Sequence, residues 1–396
     1  MIYIKSDNKI HKVINNLKKN VKQLKVFDQI ILLFLKSFNL KLKNSNQLTK
    51  YPDLAALNFL LRKNNIEKII KNYDTKDRVG LGLVFHITPS NMPTNFFYSY
   101  LFGILSGNVN VVKIPNKNFH QMKILLEILE NVLKNKKFKK IKEMSYFIRY
   151  NKNTKITEEL SSICDARVIW GGDNSIDQIR KITIPSKSRE ITFSDKFSCS
   201  ILNLDRITQL TKNELNNVCR HFFSDGYFID QNACSSPHLI LWIGKNNNKT
   251  KKYFWSCINN IAISKYDLPE IAIIDKFTQE CEDAISLNIK NKKYYFNNKL
   301  VIKELTKIPN NLTSLRGKWG YFYEYKIKNL TDLKKIVNDK FQTITYFGID
   351  RKKIIDTIIK NHIKGIDRIV PVGSAHLMDT KWDGHDLIYS LSRIIN

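Results

Sequence analysis

No apolar run in this 396-residue chain approaches the ~20 residues a membrane-spanning helix needs; the longest, Ile30 to Leu35, is ended by Lys36. A membrane span is therefore not expected. The stretch from Met1 to Lys9 lacks the long apolar segment and small-residue cleavage site of a secretory leader, which makes the cytoplasm the default location. Cysteine is scarce: six residues, at 164, 199, 219, 234, 257 and 281, with no CxxC pair and no Cys/His comb. Neither a zinc site nor a disulfide framework is indicated, and the thiols are expected to be reduced. His376 and His385 likewise have no ligand spacing, so no metal is expected. Acid is in short supply too, with 36 Asp and Glu against 65 Lys and Arg, a formal charge of +29. Such a field attracts polyanions. Lysine is nevertheless spread along the whole chain with Asn and Ile, and no helix-turn-helix, zinc-finger or RNA-recognition motif is present to read a base sequence. Nucleic-acid binding is set aside in favour of phosphate-bearing small ligands or an acidic partner protein. The lysine-rich runs 134–140 and 245–252 read as solvated loops.

A hydrophobic content of 43% supplies a large core and room for two or three domains. Residues 1–75 read as a helical N-terminal preface, with apolar positions three and four apart over 10–36 and 54–73 and Asp53 as an N-cap candidate after Pro52. From residue 76 the texture becomes an α/β alternation. Strands are expected over 78–87, 109–114, 167–170, 189–193 and 199–203, helices over 95–105 and 121–134, and a helix starting at 176. This is the pattern of a parallel sheet covered on both faces, a dinucleotide-binding domain over 76–210, with the ligand at the carboxyl ends of the strands. A catalytic domain is expected over 211–365, with strands near 317–325 and 343–348, a helix over 354–363 and an exposed turn around 290–300. The segment 366–396 is expected to pack back on the body through Trp382, Asp383 and Asp386.

Two loops suit a dinucleotide. Gly171-Gly172 follows a strand and opens a helix, where bare backbone can approach a pyrophosphate; no full GxGxxG is present, and a plain glycine turn has the same spacing. Lys113 ends a strand, where it can reach a ribose or phosphate oxygen or simply face water. One stretch holds a residue able to make and break a covalent bond with a substrate: Phe228-Ile-Asp-Gln-Asn-Ala-Cys-Ser-Ser-Pro-His-Leu-Ile-Leu-Trp-Ile-Gly244. Upstream, Thr211-x-x-Glu214 is a capping box opening a helix that should end near Gly226; downstream, 238–244 suits a buried strand. Cys234 falls on the polar hinge between them, among Ala233, Ser235 and Ser236, open to a ligand as Cys219 on the apolar helix face is not. Alone, such a cysteine reads equally as a small, partly buried side chain. His238, four residues on, is a candidate base but more simply begins the strand.

The chain resembles the acyl-CoA reductases of the LuxC type, which have an aldehyde-dehydrogenase-like fold. The likeness runs from Tyr51 to Asn396 through seven ordered blocks: 51–62, His86-Ile-Thr-Pro-Ser-Asn91, 107–113, Trp170-Gly-Gly-Asp173, Asp230-Gln-Asn-Ala-Cys-Ser-Ser-Pro237, 367–373 and Trp382-Asp-Gly384. It implies a Rossmann-type cofactor domain, an α/β catalytic domain, and reduction of a long-chain fatty acyl-CoA or acyl-protein thioester to the aldehyde. It implies Cys234 as nucleophile, Asn91 as oxyanion donor, and Thr88, Pro89, Lys113, Gly171 and Gly172 around the cofactor. An acyl-protein synthetase partner and a homo-oligomer are further implied. The general base of aldehyde dehydrogenases is replaced here by Thr192, which disfavours hydrolysis of an acyl-enzyme; Glu190, on the same strand face, could stand in for it. Asn116 and Lys117 replace a ribose-binding carboxylate, which favours NADPH. The alternatives are an oxidative NAD(P)-dependent aldehyde dehydrogenase, a reductase of short or sugar-linked acyl groups, and a basic interaction module on a degenerate dehydrogenase fold.

Overall fold

The computed structural model describes residues 3–151, 155–245, 247–287 and 293–395. It divides into two compact units, 1–195 with 378–396, and 196–377.

The first unit opens with β1 (Tyr3–Ile4) and four helices, α1 (Asp7–Lys19), α2 (Gln29–Lys43), α3 (Pro52–Leu60) and α4 (Lys63–Lys71). The single helix expected over 10–36 is broken at 20–28, where Leu24 N–H donates to Gly107 O and Phe27, at φ 53°, donates to Leu105 O. Tertiary hydrogen bonds take the backbone that a helix would have used. Tyr51, not Asp53, occupies the N-cap of α3; Pro52 fills the first turn, where its missing N–H costs nothing. Asp53 is instead buried, which pushes its carboxyl up.

The α/β body follows: β2 (Arg78–Gly80), β3 (Leu83–Ile87), α5 (Asn95–Leu105), β4 (Val109–Lys113), α6 (His120–Leu133), α7 (Lys139–Glu143), β5 (Ser145–Ile148), α8 (Ile156–Ile163), β6 (Ala166–Trp170), α9 (Asp173–Arg180) and β7 (Arg189–Phe193). The strand expected over 78–87 is thus two strands, turned at Gly82 with φ 140°. The run 134–140 is not a solvated loop: Phe138 and Ile141 anchor it in the core while its lysines face out. The sheet order is β1-β5-β4-β3-β6-β7, every pair parallel. From β3 the chain builds outward through β4 and β5, then returns to the other side with β6 and β7. The crevice between β3 and β6 is therefore the topological switch point. The C-terminal strand Ser392–Ile394 pairs with β2, and Trp382, Leu387, Ile388 and Leu391 enter the same core.

The second unit contains β8 (Phe197–Asn203), α10 (Leu204–Thr208), α11 (Lys212–Tyr227), β9 (Pro237–Ile243), α12 (Asn248–Lys265), α13 (Glu270–Ser286), β10 (Lys293–Asn297), β11 (Leu300–Glu304), β12 (Tyr321–Lys326), β13 (Phe341–Phe347) and β14 (Arg368–Pro371). Its sheet order is β10-β11-β12-β9-β8-β13-β14, parallel except for the β10–β11 hairpin. The strand β8, expected in the cofactor half, pairs here. The exposed turn expected around 290–300 lies outside the described residues up to 292; beyond them the chain forms the hairpin. The run 245–252 leads into α12 rather than remaining a loop. The helix α11 ends at Tyr227, beside Gly226 as expected; a Cβ on Gly226 would lie 2.7 Å from the Phe322 ring. Among the described residues, no helix is long and apolar enough to cross a membrane.

Candidate active site

In the first unit, β4, β3 and β6 are adjacent, with Ile87 level with both Lys113 and Ile169. Their carboxyl ends therefore bring Lys113, the Thr88 loop and Gly171 side by side. The Thr88 hydroxyl donates to Lys113 O at 2.7 Å, tying the start of the Thr88–Pro93 loop to the end of β4. Lys113 Nζ lies 4.5 Å from the centre of the Tyr150 ring. Asn91 is exposed further along the loop. Gly172 is the N-cap of α9, and a Cβ built on it would meet nothing within 4 Å, so the backbone of this turn is open to a ligand.

A buried polar chain fixes the strands beneath. Trp170 Nε1 donates to Ser99 Oγ at 3.0 Å; Ser99 lies 2.8 Å from His86 Nδ1; His86 Nε2 lies 3.0 Å from Asn110 Oδ1; Asn110 Nδ2 donates to Asn108 O at 2.7 Å. The amide oxygen accepts only, so Nε2 carries the proton and Nδ1 accepts from Ser99. Burial lowers His86 to about 4 and keeps it neutral. Gly103 passes so close that a Cβ would sit 1.9 Å from Asn110 Oδ1. Trp170 also stacks on Phe193, with centroids 3.7 Å apart. The turn at Gly171 thus grows from a rigid strand end.

In the second unit, α11 opens with the Thr211/Glu214 capping box read from sequence and delivers the chain to the Cys234 loop. Ile229, Asp230 and Gln231 all take left-handed φ, 48°, 56° and 63°. Three consecutive non-glycine residues there cost roughly 1–2 kcal/mol each. Side chains hold the shape. Buried Gln231 donates from Nε2 to Pro237 O and Tyr321 O, both at 3.1 Å, and accepts at Oε1 from the N–H groups of Gly320 and Tyr321, both at 3.2 Å. Its amide is thereby filled to capacity. Asn232 Nδ2 donates back to Ile229 O and Asp230 O, and the Tyr266 hydroxyl donates to Asp230 at 2.7 Å.

Cys234 follows, half-buried, on a turn closed by the Ser236 N–H donating to Ala233 O. The Ser198 hydroxyl donates to Cys234 O at 2.6 Å. His376 packs against the same turn: Nε2 lies 2.9 Å from Asp225 O, Nδ1 lies 3.1 Å from Ser235 Oγ, and the ring stacks on Phe228. Nε2 must donate to that carbonyl, so Nδ1 accepts from Ser235. Burial lowers His376 to about 4. Burial also pushes Asp225 up to about 7, although the N–H groups of Gly373 and Ala375 donate to it at 2.6 and 2.9 Å. His238 is buried in β9 and stacked on Phe197, and burial lowers it to about 3. That leaves it a poor base.

The family model for acyl-CoA reductase (LuxC) matches residues 8–299, about three quarters of the chain. The chain belongs to that family. Among curated proteins, a long-chain acyl-protein thioester reductase of Vibrio harveyi is 24% identical over 79% of this chain; the match spans only 63% of that relative. Among solved structures, glyceraldehyde-3-phosphate dehydrogenase of Methanocaldococcus jannaschii, complexed with NADP, covers 98% of this LuxC-family chain and 93% of its own, at 14% identity and TM-score 0.67. Aldehyde dehydrogenase 21 of Physcomitrella patens, complexed with succinate, also has TM-score 0.67, at 11% identity, covering 98% and 90%. At these identities the likeness is one of fold: the fold is aldehyde-dehydrogenase-like.

Within this LuxC-family chain, Thr88, Pro89, Asn91, Lys113, Gly171 and Gly172 belong to the first unit and Cys234 to the second. Thr192 lies in β7. Glu190 is held by Arg167 and Arg180, its carboxylate committed to an ion-pair cluster. His376, Asp225 and Gln231 were not read as site residues from sequence. Gln231 lies inside a quoted block and carried a signal; His376 is 141 residues from its partner Ser235 and carried none.

Proposed function

We propose that this chain reduces a fatty acyl thioester, borne on CoA or on an acylated protein, to the aldehyde with NADPH, through a covalent acyl group on Cys234. The loop 228–237 carries the reading: a half-buried thiol among small side chains, on a backbone clamped in an unfavourable shape by Gln231, Asn232 and Tyr266. Such a shape does nothing for stability, but it fixes the angle at which a nucleophile meets a carbonyl.

The Cys234 thiolate attacks the acyl carbon, and the carrier thiol leaves. The Cys234 N–H donates to the oxyanion, a donor of this kind lowering the barrier by ~3 kcal/mol, and the family resemblance implies the same role for the Asn91 amide. Thr88, Pro89, Lys113, Gly171 and Gly172 would hold NADPH at the switch point of the first unit's sheet; the chemistry it would supply when bound is hydride for an acyl carbon. The oxyanion then re-forms its carbonyl, the carbon–sulfur bond breaks, and aldehyde leaves with the thiolate restored. Thr192 cannot activate water, and Glu190 is occupied by two guanidinium groups, so the acyl-enzyme outlives hydrolysis. The Vibrio harveyi relative's name supports a long-chain acyl-protein donor, hence an acyl-protein synthetase as partner, and the NADP bound by the archaeal structural relative supports the cofactor class. Homo-oligomeric assembly in the cytoplasm completes the reading. In the decisive test, a Cys234→Ala variant incubated with acyl-CoA and NADPH forms neither aldehyde nor acyl-enzyme, while Thr192→Ala keeps aldehyde formation; aldehyde from the first variant overturns the proposal.

A further inference from the structure

The helix α13 reverses the usual amphipathic order. Along one stripe it buries Ala272, Lys276 and Asp283. Asp283 accepts from the Tyr321 and Tyr323 hydroxyls of β12 at 2.7 and 2.9 Å and from Gln279 Nε2 at 3.0 Å, with Lys303 Nζ of β11 3.3 Å away. Lys276 Nζ donates to Asn298 O at 2.6 Å. Polar groups therefore fasten the helix to its sheet. The large apolar side chains face outward instead: Ile271, Ile273, Ile274, Phe277 and Ile285 are between 42% and 83% exposed. Ile271, Ile274, Thr278, Cys281 and Ile285, all exposed, recur at alternating spacings of three and four, the seam of a helix that packs on another helix. The five large side chains expose roughly 500 Å² of apolar surface, the upper end of the largest patch on a monomeric protein.

Charge decides what can cover it. The chain has 65 Lys and Arg among 396 residues, about one in six, yet the exposed side of α13 has none and carries Glu270, Asp275 and Glu282. An anionic membrane surface or a nucleic acid has the wrong sign for such a face. Two bodies that each carry a charge of +29 repel wherever their lysines meet; they approach at least cost where lysine is missing and carboxylates lie in the opposing copy's positive field. We propose that α13 is the face through which two copies of this chain pair, its Ile274 and Phe277 stripe packing on the same stripe of the second copy about a two-fold axis. The patch supplies roughly the apolar share of the ~800 Å² that each partner contributes to a stable interface, and the carboxylates form its rim. This dimer rests on the homo-oligomeric part of the proposed function and not on its Cys234 chemistry.

The test is sedimentation velocity of the full chain over a range of micromolar concentrations, with iodoacetamide labelling of Cys281 followed by peptide mass mapping. The wild type is expected to dimerise. Cys281, exposed in the single chain, is expected to label at least about tenfold more slowly in the dimer than after dilution to monomer. A double variant, Ile274→Glu with Phe277→Glu, changes only outward side chains; it is expected to stay monomeric at every concentration and to label at the monomer's rate. A wild type that remains monomeric overturns the dimer and the homo-oligomeric reading together. A wild type that dimerises with Cys281 labelling unchanged, or a double variant that still dimerises, overturns this face alone. Should the double variant fail to fold, protection of Cys281 in the wild-type dimer decides.

Discussion

His376 is the residue whose role most needs separating from simple packing. It joins Asp225 to Ser235, the neighbour of Cys234, through two hydrogen bonds whose direction is set by the carbonyl at one end. Removing it lets the turn around the thiol drift, and a drift of ~1 Å in a reacting group costs up to ~100-fold in rate. His376→Ala is expected to lower kcat for aldehyde formation by ~10-fold or more with little change in the KM for NADPH. Ser235→Ala should do the same, and the double variant should be no worse than the worse single one, because both cut one chain of contacts. Additive losses would assign the two residues separate roles. The setting of Cys234 was legible because its evidence is local: a capping box, a hinge of small residues and a strand, all contiguous. His376 was not, since the fold alone brings residues so far apart in sequence together, and no spacing rule reports a hydrogen bond across a domain.

Elements were legible where punctuation and periodicity agree. The helix Asn95–Leu105 has the bounds expected from the two prolines before it and Gly107 after it. The strand β5 passed unread because it is four residues long and follows a lysine-rich run whose charge masks Phe138 and Ile141. The clamp around Cys234 gives a stability prediction. Gln231→Ala removes the buried side-chain partner of the Pro237 and Tyr321 carbonyls and of the Gly320 N–H, while the Tyr321 N–H keeps Lys318 O, at ~1–3 kcal/mol for each group left unpaired where water cannot reach. The second unit's unfolding midpoint should fall in chemical denaturation by the equivalent of at least ~2 kcal/mol, and an unchanged midpoint would mean the loop holds itself. The first unit gives a pH prediction. His86 is neutral when folded, lowered to about 4, whereas an unfolded histidine takes its proton near 6.5. Between those values the unfolded chain binds more protons, so stability drops as pH falls from 6.5 towards 4, on the order of 3 kcal/mol by the lower end. His86→Gln is less stable at neutral pH, and its deficit against the wild type should shrink in melts run at pH 5.

At the scale of the molecule, the two-unit division and the return of the C-terminus to the first unit set where charge can act. Arg189 donates to the carbonyls of Tyr389, Ser390 and Ser392, and Tyr73 donates to Thr380 at 2.7 Å. These contacts make the tail part of the first unit, a partition that composition along the chain does not mark. The net charge of +29 was legible at once, yet it says nothing about fold and a good deal about association. A positive field raises the encounter rate of anionic ligands and loses its reach once the Debye length shrinks, from ~10 Å at 0.1 M salt to ~3 Å at 1 M. CoA thioesters and NADPH carry several phosphate charges; an acyl thioester of N-acetylcysteamine carries none. Raising salt from 0.05 to ~0.5 M should therefore depress kcat/KM for acyl-CoA by ~10-fold or more, leave kcat nearly constant, and barely alter kcat/KM for the uncharged thioester at saturating NADPH. Equal salt sensitivity of the two substrates would place the effect on the cofactor or on the protein itself. A salt-insensitive acyl-CoA reaction would mean that the excess lysine is a habit of composition with no part in substrate capture.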